Sequence, residues 1–347
     1  MTERRRLALI MLDRHLGNFL VASPVLCALT KRFPDVQTLI HGPHEALASR
    51  IPGFPSDRVA VSPPANRAAE LPTVLHEIVR LRRWRPHVLA DFGGSGIGSL
   101  IGGLSGAAAR ACPAGATWRR LYTIRADKPA SSIHRIAAYV AIGDAVAPGL
   151  EWSNPVLHAT QEDREALASI LEDEGMTDHG RLVCLHVAGG KDYKHWPLDR
   201  YATVADALYE RGLQPVLIGA APDRASADQV LSLSRRRPLD LVTRMGLGAL
   251  IALFERATLF LGNDSGPMHM AAAAGTPIVA LFGPTDPRRW GPLTEKASIV
   301  RGTDPIAMEG TKRKFHGGTR MDSISVEAVL QAVERATGVR PDQAFAD

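Results

Sequence analysis

The sequence predicts an α/β protein made of two consecutive doubly wound parallel-sheet domains facing a cleft. Three observations carry that prediction. The 347 residues exceed the roughly 100–200 residues of one ordinary domain. Short apolar runs alternate with longer amphipathic stretches, which is the pattern of βαβ units in a parallel sheet. The alternation occurs twice, on either side of Glu151-Trp-Ser-Asn-Pro155. The domains are therefore placed at 1–155 and 156–335, with 336–347 as a C-terminal tail.

In the first half Leu7–Leu12 reads as a strand, Phe19–Arg32 as a helix, Val36–His41 as a strand, Ala68–Arg83 as a helix and His87–Phe92 as a strand, with a further helix near Ser131–Ile142. The second half opens with helix Gln161–Glu174 and strand Leu182–His186. It continues with helix Leu198–Arg211, strand Pro215–Gly219, helix Asp223–Arg236, strand Leu241–Thr243 and helix Leu247–Ala257. Strand Leu259–Gly262, helix Ser265–Ala274, strand Ile278–Phe282 and helix Val326–Thr337 complete it, the last with Ser325 as N-cap. Open parallel sheets bind ligands beyond the carboxyl ends of their strands, so the ligand is expected between the two domains.

Composition narrows the function classes. At 45% hydrophobic and 22% charged, with 31 Gly and 24 Pro, the chain is an ordinary globular one, neither disordered, collagenous nor coiled-coil. Cys27, Cys112 and Cys184 lie far apart with no C-x-x-C pair, which argues against structural zinc and a disulfide framework. Met1–Leu12 imitates a secretory signal, but Asp13, Arg14 and His15 cut its apolar run short. No stretch approaches the roughly 18 apolar residues of a membrane span, and a cytoplasmic location is expected. The net charge of +5 suits nucleic acid, an anionic membrane face or a phosphorylated substrate. Its clusters are Arg4–Arg6, Arg80/Arg82/Arg83/Arg85, Arg119/Arg120, Arg235–Arg237 and Lys312-Arg313-Lys314; for each a solvated face is the plainer reading. Nucleic acid is disfavoured, because there is no recognition-helix module and aromatics make up only 5% of residues.

The most informative segment is Leu259-Phe-Leu-Gly-Asn-Asp-Ser-Gly-Pro-Met-His-Met270, continuing to Gly283-Pro-Thr-Asp286. It reads as strand, tight turn and helix. Asp264 is placed to cap the helix, and the amides of Ser265 and Gly266 at the positive helix end suit a pyrophosphate. Asp264 itself would repel phosphate, so capping and accepting hydrogen bonds from ligand hydroxyls are its expected roles. His269 follows Ser265 at i,i+4 spacing, although a lone His of this kind is usually structural. A second segment, Leu182 to Pro197, is a buried strand ending in Gly189, Gly190, Lys191 and Lys194. Its glycines would admit a diphosphate to the backbone amides and its lysines would neutralise it. It lacks the G-x-x-x-x-G-K-[ST] spacing of a P-loop. The patch Gly93–Gly103 misses the third glycine of G-x-G-x-x-G at Ser99, so a close-packed turn and helix is preferred to a nicotinamide site.

Taken together, Leu16-Gly-Asn-Phe-Leu-Val-Ala-Ser-Pro-Val25, Lys194-His-Trp-Pro197, Asp264-Ser-Gly-Pro-Met-His269 and Phe282-Gly-Pro-Thr-Asp286 resemble the family 9 glycosyltransferases, the bacterial lipopolysaccharide heptosyltransferases. The resemblance implies the GT-B architecture of two Rossmann-like domains. It also implies inverting transfer of a heptose from ADP-heptose to a core-sugar hydroxyl, with no metal or other cofactor. Lys194 would hold the donor phosphates, and Asp264, Ser265 and Gly266 would position diphosphate and sugar; His269 belongs to the same block. The acceptor would be a phosphorylated glycolipid received by the first domain, with peripheral contact at the inner membrane face.

One position departs from the pattern. Where the family's loop reads Gly-Asp, with the aspartate as general base, this chain has Asn18. An amide cannot take the proton, and a positioned base contributes on the order of 10²–10⁴-fold. Asp13, His15 and Asp91 are the replacement candidates, with Asp13 preferred and Asn18 left to hydrogen-bond the acceptor. Competing readings are a nucleotide-sugar epimerase or hydrolase, and a nucleotide-sugar-binding protein whose catalysis is lost or altered.

Overall fold

In the computed structural model, twelve strands among the described residues form two separate six-stranded sheets, every named strand pair parallel. The structure describes residues 5–55, 57–61, 67–130, 132–176, 180–189, 191–306 and 318–339. The sheets belong to two compact units, Met1–Pro155 and Val156–Asp347.

The first unit runs β1 (Arg6–Met11), α1 (Leu16–Arg32), β2 (Asp35–His41), α2 (Glu45–Ala48), β3 (Arg58–Val61), α3 (Arg67–Trp84), β4 (Val88–Asp91), α4 (Gly96–Leu104), β5 (Ala109–Cys112), β6 (Ile124–Arg125) and α5 (Ile136–Val146). Its strand order is β3-β2-β1-β4-β5-β6. The central β1 is apolar on both faces, and Leu7 to Met11 are fully buried, as a strand covered by helices on two sides must be.

The second unit contains α6 (Gln161–Asp173), β7 (Arg181–His186), α7 (Leu198–Tyr209), β8 (Leu213–Leu217), α8 (Arg224–Leu233), β9 (Leu239–Asp240), α9 (Leu247–Arg256), β10 (Leu259–Asn263), α10 (Gly266–Ala273), β11 (Ile278–Phe282), α11 (Pro287–Trp290), β12 (Ala297–Arg301) and α12 (Val326–Thr337). Its order, β12-β11-β10-β7-β8-β9, repeats the first sheet's connectivity. Thr160 and Asp163 close a capping box on α6, and Ser325 caps α12 by accepting from the Ala328 N–H. In both sheets the strand order switches side between two central strands, β1/β4 and β7/β10. Open parallel sheets bind ligands beyond the carboxyl ends at such a switch point.

Several elements differ from the sequence reading. The short outer strands β3, β5, β6 and β12 escaped it, since β5 is only Ala-Arg-Ala-Cys and its Arg110 turns back to the carbonyls of Ala107 and Leu121. Strand β9 is Leu239–Asp240, two residues ahead of the reading; the Leu241 and Thr243 N–H groups still bond to the Leu217 and Gly219 carbonyls, and Thr243, with a left-handed φ of +66°, then turns the chain. Helix α5 starts late, at Ile136, whose N–H is taken by the His134 ring. Helix α12 spans Val326–Thr337 as read, and Val339 beyond it packs in the core. The patch at Gly93–Gly103 is a turn and helix: Gly94 has φ +62°, and a Cβ on Gly103 would lie 2.5 Å from the Leu121 side chain. Among the described residues no helix is long and apolar enough to cross a membrane.

Candidate functional site

In the second unit the loops after β7 and β10 meet. Buried Asn263 ties them together: its Nδ2 donates to the Ala188 carbonyl at 3.2 Å, and its Oδ1 accepts from the Tyr201 hydroxyl at 3.1 Å. Trp196 anchors the other end of the β7–α7 loop. It is fully buried, donates its indole N–H to the Ile324 carbonyl at 2.9 Å and stacks edge-on against Tyr201. Between these anchors Gly189 has φ +149°, a conformation L side chains rarely adopt, and its carbonyl meets the His195 ring at 2.6 Å.

On this frame Lys194 Nζ lies 2.6 Å from Asp264 Oδ2, and the Thr285 hydroxyl donates to the same oxygen at 2.8 Å. Asp264 therefore does not cap α10. The N-cap is Ser265, the capping reading is overturned, and the carboxylate is drawn away from the helix by an ammonium and a hydroxyl. The pairing also removes the objection that Asp264 repels phosphate. An ammonium has three donors, so Lys194 can hold Asp264 and still present an N–H outward. Pro267 deprives the first turn of one amide, leaving the Gly266 and Met268 N–H groups without helical acceptors of their own.

Ser265 makes no side-chain bond to its helix; its hydroxyl pairs with the ring of buried His186. Behind the ring stands Asp223. Burial pushes its carboxyl up, but the His186 ring, the Ala220 N–H and nearby His195 outweigh burial and hold it below the ordinary carboxylate value. His269 lies half-buried in the first turn of α10, Lys191 is exposed, and Gly190 lies outside the described residues. Beside the loop a cavity of about 510 Å³ is lined by Tyr193, Trp196, Pro197, Pro284 and Arg320 among others.

In the first unit Asp13 follows β1. Its Oδ1 accepts from the His15 backbone N–H at 2.8 Å and faces the His15 ring at 2.9 Å; its Oδ2 accepts from the Asn18 amide at 2.8 Å. Burial acts to raise the Asp13 carboxyl, but these donors prevail and hold it below the ordinary carboxylate value. The substituted asparagine thus orients Asp13. His44 meets the Asp13 carbonyl at 2.8 Å, and burial lowers the His41 and His44 imidazoles, favouring their neutral forms. Asp91, the other carboxylate considered, is fully buried. It accepts from the N–H groups of Gly93 and Gly94 at 2.9 Å and from the Tyr122 hydroxyl. Burial raises its carboxyl, and its place is inside the turn, where no acceptor hydroxyl reaches it.

His186, Asp223, Asn263 and Thr285 were absent from the sequence-derived site. Asn263 and Thr285 lie inside the Leu259–Asp286 segment and His186 ends the strand Leu182–His186, but their bonding partners, up to 79 residues away, left no local signal, and Asp223 had none at all.

Two doubly wound sheets of this order, with polar loops beyond the carboxyl ends of their central strands, define Rossmann-like α/β units of the GT-B fold class. More particularly, the family described as Glycosyltransferase family 9 (heptosyltransferase) matches residues 116–317, more than half of the chain, and the chain belongs to it. Among curated proteins it is 29% identical over 181 residues to lipopolysaccharide heptosyltransferase 3 of Escherichia coli K12, spanning 51% of this chain and 52% of that protein. The chain thus spans about half the length of that relative. Among solved structures, a family 9 glycosyl transferase from Veillonella parvula superposes with a TM-score of 0.85 at 22% identity, covering 96% of this chain and 97% of its own. The ADP-heptose lipopolysaccharide heptosyltransferase II of E. coli gives 0.77 at 20%, with 96% and 98% covered.

Proposed function

We propose that this protein transfers a heptose from ADP-heptose to a lipopolysaccharide core sugar, with inversion at the anomeric carbon and no metal or other cofactor. The observation that carries the reading is the Lys194–Asp264–Thr285 cluster beside the open amides of α10, at the carboxyl ends of β7 and β10. Two neighbouring lysines and a helix N-terminus suit a diphosphate, and they stabilise the negative charge that builds on ADP as it leaves. The cavity at Trp196 has the volume of a small-molecule site. The second unit is thereby assigned the donor.

The first unit is assigned the acceptor. Asp13 is held ionised, so it accepts the acceptor hydroxyl's proton while that oxygen bonds to the anomeric carbon. The bond from that carbon to the diphosphate oxygen breaks, and its electron pair leaves with ADP. His15 and Asn18 orient the carboxylate. A phosphorylated glycolipid implies work at an anionic membrane surface, and the outer side of α3 supports this. Leu71, Leu75 and Val79, one turn apart, are 60%, 51% and 45% exposed, and Arg82 and Arg83 beyond them are exposed. Such a cationic apolar stripe suits anionic lipid.

Calorimetric titration with ADP, followed by product detection with ADP-heptose and a heptose-deficient core glycolipid, tests the proposal. ADP binding with no transfer to any core acceptor would favour the second reading, a nucleotide-sugar-binding protein. That reading draws on Asn18 and on the depressed Asp13 carboxyl, which is a weaker base than an ordinary one.

A further inference from the structure

The contacts made by Asp13 are of two kinds. His15 and Asn18 lie within five residues of it, so they fix the carboxylate against its own loop and travel with that loop. They cannot fix the loop against the sheet. Among the described residues one side chain reaches Asp13 from another element: His44, 31 residues on, whose Nε2 lies 2.8 Å from the Asp13 carbonyl oxygen. A carbonyl only accepts, so Nε2 carries the hydrogen and the direction of the bond is settled. His44 is itself held from several sides. Strands β1 and β2 are parallel neighbours with Met11 opposite Ile40, so the loop after β1 and the turn after β2 leave the sheet side by side. His44 ends the single turn Gly42–His44 and is 3% exposed. Its ring lies 4.9 Å from that of buried Phe19 in α1 and 5.2 Å from the His41 ring. The next residue, Glu45, accepts from Arg58 of β3 at 2.9 Å. The imidazole is therefore a fixed strut, not a side chain free to follow the Asp13 loop.

We propose that His44 is a positioning residue for proton removal from the acceptor hydroxyl: by tying the Asp13 main chain to the turn between β2 and β3, it sets where the carboxylate stands. It touches no reacting atom, and the inference rests on the reading of Asp13 as the base. Proton transfer depends steeply on the separation of the two oxygens, and a misplacement of about 1 Å can cost about 100-fold. Without the His44 N–H the loop is free to shift by such amounts, while His15 and Asn18 still grip the carboxylate. The base then stays ionised but stands in the wrong place.

The test is a double-mutant cycle read in kcat, with ADP-heptose and a heptose-deficient core glycolipid as substrates. His44→Phe keeps a ring against Phe19 and removes the N–H. It should lower kcat by about 10- to 100-fold, with the Kd for ADP unchanged. In the Asp13→Asn background the same substitution should change kcat by less than about twofold, because no base is left to misplace. A side chain that merely supported the fold would cost the same factor in both backgrounds. His44→Gln, whose side-chain N–H can replace the imidazole donor, should recover most of the loss. If His44→Phe fails to fold, His44→Leu takes its place in the cycle; if that fails too, the role is structural and the inference falls. An unchanged kcat in folded His44→Phe, equal losses in the two backgrounds, or a His44→Gln enzyme as slow as His44→Phe overturns the inference and leaves Asp13 as base. Full turnover in Asp13→Asn, or a wild type that makes no product, overturns the base assignment instead, and the inference with it.

Discussion

Replacing Lys194 with alanine is the most direct perturbation of the donor site, and its size can be worked from two effects. The first is loss of a donor to the diphosphate. A hydrogen bond to a charged group contributes about 1.5–3 kcal/mol, or about 10- to 150-fold in Kd. The second is exposure of Asp264. With its ammonium gone, the carboxylate, 8% exposed, keeps the Thr285 hydroxyl but faces the incoming diphosphate uncompensated. Even a solvent-screened charge pair is worth about 1 kcal/mol, about a further fivefold. Asp264→Asn in the Lys194→Ala background should therefore restore about fivefold of the affinity, because it removes the repulsion without replacing the ammonium's hydrogen bond to the diphosphate. Calorimetric titration with ADP of the two single variants and the double variant closes the cycle. Thermal denaturation supplies the control: breaking a pair whose lysine is 21% exposed should cost about 1–2 kcal/mol and lower Tm by several degrees. Unchanged ADP affinity in Lys194→Ala, or a double variant that binds more weakly than Lys194→Ala alone, refutes the reasoning.

Three further outcomes follow from particular residues. Asp13→Asn should lower kcat by on the order of 10²–10⁴-fold with donor affinity unchanged, and full turnover in this variant would remove Asp13 as base. Because Asp13 is held below the ordinary carboxylate value, it stays ionised until the pH falls through that depressed value, so the acid limb of kcat/KM should lie below about pH 4. Asn18→Asp sets a second carboxylate where the amide donates at 2.8 Å, and it should move that limb to higher pH. Leu75→Glu on the exposed side of α3 should weaken sedimentation with phosphatidylglycerol vesicles while shifting stability by no more than about 0.5 kcal/mol; equal binding to neutral vesicles would count against the assignment. Trp196→Phe removes the indole N–H to the Ile324 carbonyl and leaves space in a fully buried position. Arg200 still donates to that carbonyl, so the cost should be about 1–2 kcal/mol in urea denaturation.

Hydrophobic periodicity alone placed the central strands β1, β7, β10 and β11 and the helices between them, because residues buried on both faces leave long apolar runs that nothing else produces. It also marked the two chemical loops, since Gly189 and the Asp264-Ser-Gly266 turn need residue types that stand out locally. Edge strands such as β9 and β12 left no comparable trace: they are short or half-solvated, and their pairing is decided by the neighbour rather than by their own pattern.

What the tertiary structure decided is the state of each polar group. From sequence Asp264 was a cap that repels phosphate; folded, it is neutralised by a lysine 70 residues away. Asn18 read as a lost base; folded, it donates to Asp13, a carboxylate that the His15 N–H and ring, and after them this amide, hold ionised against burial. Asp91 read as a candidate base, and burial under the Gly93–Gly94 turn closed it off. Local sequence specifies which groups a loop carries. Which way a hydrogen bond points and whether a carboxylate is charged depend on partners brought together only when distant strands join one sheet.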